Sequence, residues 1–395
     1  MDLSLNEEQL VFRQAVRDLA RARIAPRAAE VDRTATFPWD YVEMFREQDL
    51  FGIPFSPDYG GVSGSALTLT VCIEELARVD ATAALILAVQ ALAAYPIILA
   101  GSDEQKRRLL PDLASGARLA AYALTEPGAG SDPAGMETRA TRQDGEYVIT
   151  GSKTWITHGS VADTVVVFAK TDPSAGARGV SAFVLEDARN LRGFEASPIH
   201  GKLGIRGSDT AEIHLDEVAV PEANRLGAAG EGLKVAFRVL DHSRPGIAAQ
   251  ALGIAQGALD HSVGYAIERR QFGKSIAEFQ AIQFMLADME AQVQAARAVT
   301  YQVSQMIDDH AAGVTEMAAI AKLLASDTAM RVTTDAVQVL GGAGYVQDHP
   351  VERMMRDAKI TQIYEGTNQI QRLVIARHLL GGSAGRSARA GLGAS

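Results

Sequence analysis

The run from Ala81 to Ala100 is almost wholly apolar. As a helix it would be about 30 Å long, at a rise of ~1.5 Å per residue. A helix apolar on every side either crosses a membrane or fills the centre of a large bundle. This one is rich in alanine, carries Gln90 and Pro96, and sits among amphipathic helical patterns of similar length. It reads as the centre of a bundle, with no membrane span. At 395 residues and 47% hydrophobic content, the chain has material for a large core and for two or three domains.

The flanking patterns are helical. Asn6 and Gln9 resemble a capping box, with Glu7 and Glu8 suited to a helix N-terminus. Phe12, Val16 and Leu19 continue at helical spacing until Pro26, which is expected to stop the run. Further helices fit Pro38 to Gln48, Ala66 to Val79 and Asp103 to Ala114, and the Pro- and Gly-rich stretch Pro54 to Gly64 reads as a loop. From about residue 119 the period changes. Glu146 to Thr150 follows the hairpin dipeptide Asp144-Gly145, and Thr164 to Ala169, Ser181 to Glu186 and Ala211 to Val220 are also strand-like. From about Gly230 the pattern is helical again to Leu380. The expectation is a mainly α chain with a central β domain. It has an N-terminal helical domain (1–119), a small antiparallel β-barrel or sandwich (120–230) and a C-terminal four-helix-bundle domain (231–381). The Gly/Ser/Ala/Arg-rich end, 382–395, reads as a flexible tail.

A formal charge of -10 argues against nucleic acid as a bulk partner, although a local basic cluster could still hold a small anion. Cys72 is the sole cysteine, so no intrachain disulfide can form and no cysteine-based metal site is expected. The start, MDLSLNEEQ, lacks the basic-then-apolar layout of a signal peptide, which makes the cytoplasm the expected compartment.

Five stretches can be read chemically. Tyr122 to Asp132 contains small residues and hydroxyls that could seat a phosphate or a polar ring edge. Gly151 to Thr157, read as a loop, sets Trp155 beside two threonines and suits a planar heterocycle. Arg269 to Lys274 is a basic loop whose guanidinium groups match phosphate oxygens. Gly341 to Tyr345 breaks a long helix, as a cap or as a close approach to a ligand. Tyr364 to Gln369 lies between two helical segments, Val351 to Ile363 and Gln369 to Leu380. There Thr367 or Asn368 can cap the second helix, Gly366 permits unusual backbone angles, and Glu365 is held at a tight junction. Each stretch also has an ordinary reading, as a turn, a core tryptophan, a solvated basic loop or a loop glutamate.

In this order and spacing the five stretches resemble the acyl-CoA dehydrogenase family, over nearly the whole chain to about Leu380. The resemblance is carried by YALTEPGAGSD at Tyr122–Asp132, KTWIT at Lys153–Thr157, RRQFGK at Arg269–Lys274, QVLGGAGY at Gln338–Tyr345 and IYEGTNQIQ at Ile363–Gln371. It implies that family's fold and an FAD enzyme of fatty acid metabolism and β-oxidation. Such an enzyme removes two hydrogens from the α and β carbons of an acyl-CoA. Glu365 would take the α proton while the β hydrogen leaves as hydride to flavin N5. The backbone N–H of Glu365 and a flavin ribityl hydroxyl would hold the thioester carbonyl, as in an oxyanion hole. A free glutamate titrates near ~4.3, and an acyl chain closing over it would push it toward neutrality.

The resemblance further implies that Tyr122, Leu124, Thr125, Gly130 and Ser131 line FAD, with Ser131 also touching CoA. Trp155, Ile156 and Thr157 would flank the isoalloxazine. Arg269, Phe272, Gln280, Gln338, Gly341 and Gly342 would reach the FAD of a neighbouring subunit, with Thr367 and Gln369 closing over its adenine half. Asp241, Arg244, Tyr364 and Gly366 would meet the substrate. A cofactor shared in this way implies a homotetramer, a dimer of dimers, passing electrons to an electron-transfer flavoprotein. Some relatives carry the base at the position of Ser243, which cannot act as one. His158 stands where asparagine is common and reads as a polar loop residue, and Asn368 replaces a more usual serine. Leu92, Ala94 and Tyr95 are candidates for the floor of the acyl pocket. An oxidase or a flavin monooxygenase on the same fold is the alternative, and a non-catalytic scaffold is the third class.

Overall fold

The computed structural model describes residues 5–381, and the proposed flexible tail, 382–395, lies outside them. Helix α1 (Glu7–Leu19) opens on the capping box: Asn6 accepts the Gln9 N–H and Gln9 returns a bond to the Asn6 N–H. Pro26 does not stop the run. A π-turn (Ala20–Ile24) intervenes, and Pro26 falls in the first turn of α2 (Ala25–Thr34), where a missing N–H costs nothing. Helices α3 (Trp39–Glu47), α4 (Ala66–Ala77), α5 (Ala81–Ala100) and α6 (Asp103–Ala114) follow. The apolar α5 is buried from Ala81 to Ile97, enclosed by α4, β1 (Ala120–Ala123) and α7 (Gly232–Glu268). Its one amide, Gln90, donates to the Leu113 and Arg118 carbonyls at 2.9 Å and accepts the Ala120 N–H. A polar group in an apolar helix is thereby satisfied, and it ties the helical layer to the first strand.

The central sheet contains β1, β2 (Arg139–Gln143), β3 (Glu146–Thr157), β4 (Thr164–Lys170), β5 (Val180–Leu185), β6 (Phe194–Pro198), β7 (Thr210–Pro221) and β8 (Arg225–Leu226). Its order is β6-β7-β3-β2-β4-β5-β8, with β1 beside β4. The sheet is mixed, because β1 and β2 both meet β4 in parallel. Gly151–Thr157, expected as a loop, is the second half of β3, paired with β7 out to Thr157 and Thr210. Strand β4 is buried from Thr164 to Ala169, with three successive valines, so it lacks the alternation of a half-exposed strand.

Helix α7 is continuous through Pro245 and packs with α8 (Gln280–Asp308) and α9 (Val314–Leu340). Between α7 and α8, the expected basic loop is a small hairpin, β9 (Arg270–Gln271) with β10 (Lys274–Ser275). Helices α10 (Val351–Thr361) and α11 (Asn368–Gly381) lie against α9. Buried side chains of α4, α5, α7, α8 and α9 form one continuous apolar core, and full burial of each Leu, Ile or Val contributes roughly 1.5–3 kcal/mol. That core is the rigid base on which the α10–α11 junction rests.

Candidate active site

The junction places Glu365 on a left-handed backbone, φ 51°, followed by Gly366 at φ 90°. A non-glycine residue there costs about 1–2 kcal/mol, so neighbouring donors must hold it. The Glu365 carbonyl accepts from Gln371 Nε2 at 3.2 Å and Arg244 Nε at 3.4 Å. The Gly366 carbonyl accepts from Lys322 Nζ at 2.9 Å and Gln371 Nε2 at 2.8 Å. Thr367, rather than Asn368, caps α11, accepting the Ile370 N–H. The Asn368 side chain turns inward to Lys322, Ser326 and Asp327 on α9. Among the described residues, no acceptor takes the Glu365 N–H.

The Glu365 carboxylate receives Ser243 Oγ at 2.5 Å from α7. Burial pushes it up to about 7, against the Ser243 bond and the charges of Arg244 and Lys322, which favour the anion. Arg244 is buried and paired with Asp241 at 3.0 Å, and Asp241 also accepts from Thr315. Tyr364 is anchored through its hydroxyl to Gln250, which reaches on to the Ala81 carbonyl at the start of α5. Sequence reasoning missed Ser243 as a donor, along with Lys322, Gln371 and Gln250. A lysine alone in the alanine-rich run AAIAKLLAS was the available signal for one of them.

The β domain reaches this junction through Tyr122 on β1. Its ring packs on Phe168 and its hydroxyl is buried without a partner. Burial, and next the Glu365 charge, hold that hydroxyl well above its usual range. Thr125 and Trp155 belong to one unit, since the Thr154 N–H donates to the Thr125 carbonyl at 2.9 Å. Beneath them the buried Lys153 meets Glu126 at 2.7 Å, and Glu126 also accepts the Glu137 and Thr138 N–H groups. Between Lys153 and Ile156 the β3–β7 register slips by one residue, and Trp155 takes φ 60°. Such a bulge re-aims a side chain, and the Trp155 indole is left 63% exposed. Leu124 and Ile156 are buried, Thr125 and Thr157 half-buried, and Gly130 and Ser131 exposed. A Cβ at Gly128 or Gly130 would meet nothing within 4 Å. An open glycine loop, an exposed flat indole and an orphaned buried hydroxyl suit a planar, phosphate-bearing ligand.

His158 is not a polar loop residue. It is buried, donates Nδ1–H to the Ala120 carbonyl at 3.1 Å, and burial draws it down to about 4. A small cavity of about 10 Å³ lies beside Ser243, lined by Tyr95, Ala91 and Ala88 of α5 and by Leu69 and Ile73 of α4. Of the three candidates for the acyl floor, Tyr95 lines this cavity and Leu92 and Ala94 do not. Gln369 follows Glu365 closely, in the first turn of α11, and other candidates lie farther along their elements. Gln338 is sixteen residues beyond Lys322 on α9, about 24 Å along the axis, with Gly341 and Gly342 just past it. Arg269, Gln280 and Gln369 are exposed, and Phe272, at the tip of the β9–β10 hairpin, is 93% exposed.

Comparisons with known proteins agree along the whole described chain. Residues 6–117, 121–218 and 230–380 match the N-terminal, middle and C-terminal domains of acyl-CoA dehydrogenase. The chain is 48% identical over 376 residues to the probable acyl-CoA dehydrogenase FadE25 of Mycobacterium tuberculosis, covering 95% of this chain and 96% of that one. It superposes on the butyryl-CoA dehydrogenase of Megasphaera elsdenii with a TM-score of 0.93 at 43% identity, covering 96% and 100% of the two chains. It also matches a chain from a structure of the electron transferring flavoprotein of Acidaminococcus fermentans, with a TM-score of 0.94, 44% identity and coverage of 97% and 100%. The chain belongs to the acyl-CoA dehydrogenase family.

Proposed function

We propose that the protein is an FAD-dependent acyl-CoA dehydrogenase that converts a short-chain acyl-CoA to the trans-2-enoyl-CoA, with Glu365 as the base. The observation that carries this reading is the Glu365 carboxylate. It is fixed on a left-handed backbone, bonded by Ser243, and poised at about 7 by burial. A base matched to neutral pH is what abstraction of a weakly acidic α proton needs. The carboxylate takes that proton and becomes the carboxylic acid. The Glu365 N–H, which has no acceptor among the described residues, donates to the thioester oxygen as negative charge develops there. One residue thus aims both its amide and its side chain, which accounts for its strained backbone.

FAD fits the β-domain face, where Tyr122, Leu124, Thr125, Gly130, Ser131, Trp155, Ile156 and Thr157 would hold it. When bound, it supplies the acceptor for the β hydrogen, which leaves as hydride. Asp241 and Arg244 would position the acyl-CoA, and Tyr364 and Gly366 would border it. The butyryl-CoA dehydrogenase neighbour supports a short acyl group. Arg269, Phe272, Gln280, Gln338, Gly341 and Gly342 are too far along their elements to serve the same site, which supports their reaching the FAD of a second copy in a homotetramer. Thr367 and Gln369 would close over the adenine half of that shared cofactor. An electron-transfer flavoprotein is the proposed acceptor, supported by the Acidaminococcus neighbour, and the proposed setting is cytoplasmic β-oxidation.

Glu365→Gln tests the reading. It should keep FAD yet lose bleaching of the flavin by butyryl-CoA, and unchanged bleaching would refute Glu365 as the base. Rapid peroxide formation by the reduced enzyme in air would instead favour an oxidase.

A further inference from the structure

Lys322 has no place in the reaction as described, yet it is fully buried in the middle of α9. Removing an ammonium from water is expensive, and buried lysines normally recover the loss by pairing with a carboxylate. Lys322 does not: among the described residues no Asp or Glu oxygen lies within 4.0 Å of it. Its nearest partners are neutral, the Gly366 carbonyl and the Asn368 side-chain oxygen, both at 2.9 Å. These two acceptors stand on either side of the turn that follows Glu365. For stability alone, an apolar residue or a neutral donor would serve better at this position.

The charged surroundings explain the choice. From the α10–α11 junction, the charge of the Glu365 carboxylate acts on Lys322 through space. From α7 comes Arg244, whose charge is largely met by Asp241. On α9 itself, Asp327 is committed to Asn368, Gln362 and Arg372. Tyr122 contributes only a hydroxyl that burial keeps protonated. Among the described residues, Glu365 is thus the one carboxylate acting on Lys322 without a charged partner of its own. Burial draws Lys322 down to about 7 while Glu365 pulls the other way, so the two groups stabilise each other's charged forms.

Resting on Glu365 as the base, we propose that Lys322 is its positioning residue. Its ammonium holds the Gly366 carbonyl and the Asn368 side chain, fixing the left-handed backbone at Glu365, and its positive charge favours the ionised carboxylate through space. The first action sets where the base points, and the second sets the pH at which it works.

Two variants separate these actions. Lys322→Met removes both the donor and the charge, whereas Lys322→Gln keeps an N–H donor and removes only the charge. The readout is exchange of the α proton of a short-chain 3-thia-acyl-CoA with D2O, followed by NMR against pH, with FAD content measured in parallel. That exchange reports the base without requiring turnover of the flavin. Both variants should retain FAD and show the rise in exchange displaced upward by about one pH unit, a loss of about tenfold at pH 6 that recovers by pH 9. Lys322→Met should also fall below the parent on the alkaline plateau, where Lys322→Gln should match it. An unshifted rise in either variant overturns the proposal, whatever happens to stability. Should Lys322→Met fail to fold, Lys322→Gln decides it. Exchange that survives in Glu365→Gln would mark failure of the base assignment, a separate result from an unshifted profile in the lysine variants.

Discussion

The two halves of the site lie on different layers, and the contact that sets their spacing can be wedged with one methyl group. Gly204, in the loop between β6 and β7, faces the backbone of α10. A Cβ there would sit 2.5 Å from the Arg356 carbonyl carbon and oxygen and 2.7 Å from the Asp357 nitrogen. Ordinary contact begins near 3.4 Å, so Gly204→Ala must part the loop from the helix by about 0.9 Å. The neighbouring bonds resist this. Ile205, a β-branched residue at φ 43°, donates its N–H to Asp357 Oδ1 at 2.5 Å. Arg356 donates to the Leu203 carbonyl while its fork grips Asp32 at 2.9 and 2.6 Å.

On one side of the wedge, α10 leads within a few residues to Glu365. On the other, the loop leads to Thr210, which pairs with Thr157 at the end of the Trp155 strand. A misplacement of about 1 Å can cost about a hundredfold in rate. Shared between loop and helix, this displacement should slow flavin reduction by roughly ten- to a hundredfold with FAD retained. The assay is anaerobic stopped-flow bleaching with saturating butyryl-CoA. A rate within about twofold of the parent, with only the unfolding temperature lowered, would show that the loop absorbs the strain and refute the coupling. Asp357→Asn is the control. Burial pushes that carboxyl up to about 7, so asparagine mimics its protonated form and keeps an acceptor for Ile205.

Two further outcomes follow from the polar contacts. Ser243→Ala removes a donor to a charged oxygen, a bond worth about 1.5–3 kcal/mol, and one pH unit corresponds to about 1.36 kcal/mol. The donor favours the anion, so its loss should move the rise of flavin reduction with pH from about 7 up by about one unit, leaving the rate at pH 9 unchanged; a uniform loss at every pH would contradict this. Lys153→Met leaves Glu126 buried with two backbone N–H donors but no counter-charge. It should lower stability by about 3 kcal/mol in denaturant unfolding, with Glu126→Gln added in the double variant recovering part of the loss.

Much of this fold is written locally in the chain. Capping at Asn6, the helical periodicities and the Asp144-Gly145 turn act over a few residues, so the sequence discloses them. The misreadings arise where a neighbour far along the chain decides. Pro26 looks like a stop until the π-turn before it is known, and Gly151–Thr157 looks like a loop until β7 is there to pair with it. The tight junction at Glu365 was legible because glycine follows it between two helical patterns, whereas its role as base came only from the family resemblance. Lys322 was not, because its purpose lies 44 residues on, in the Gly366 carbonyl. The same division separates scaffold from chemistry. Local rules are obeyed along β4, where burial is the main task. They are broken at Ile205 in a contact between layers, and at Trp155, Glu365 and Lys322 around the site, by left-handed side-chain-bearing residues and a buried ammonium without a counter-ion among the described residues. Each violation is destabilising taken alone, and each is held in place by bonds that serve an orientation or a charge at the site. Relieving any of them should therefore cost catalysis more than it costs stability, the reverse of what a purely structural residue would give.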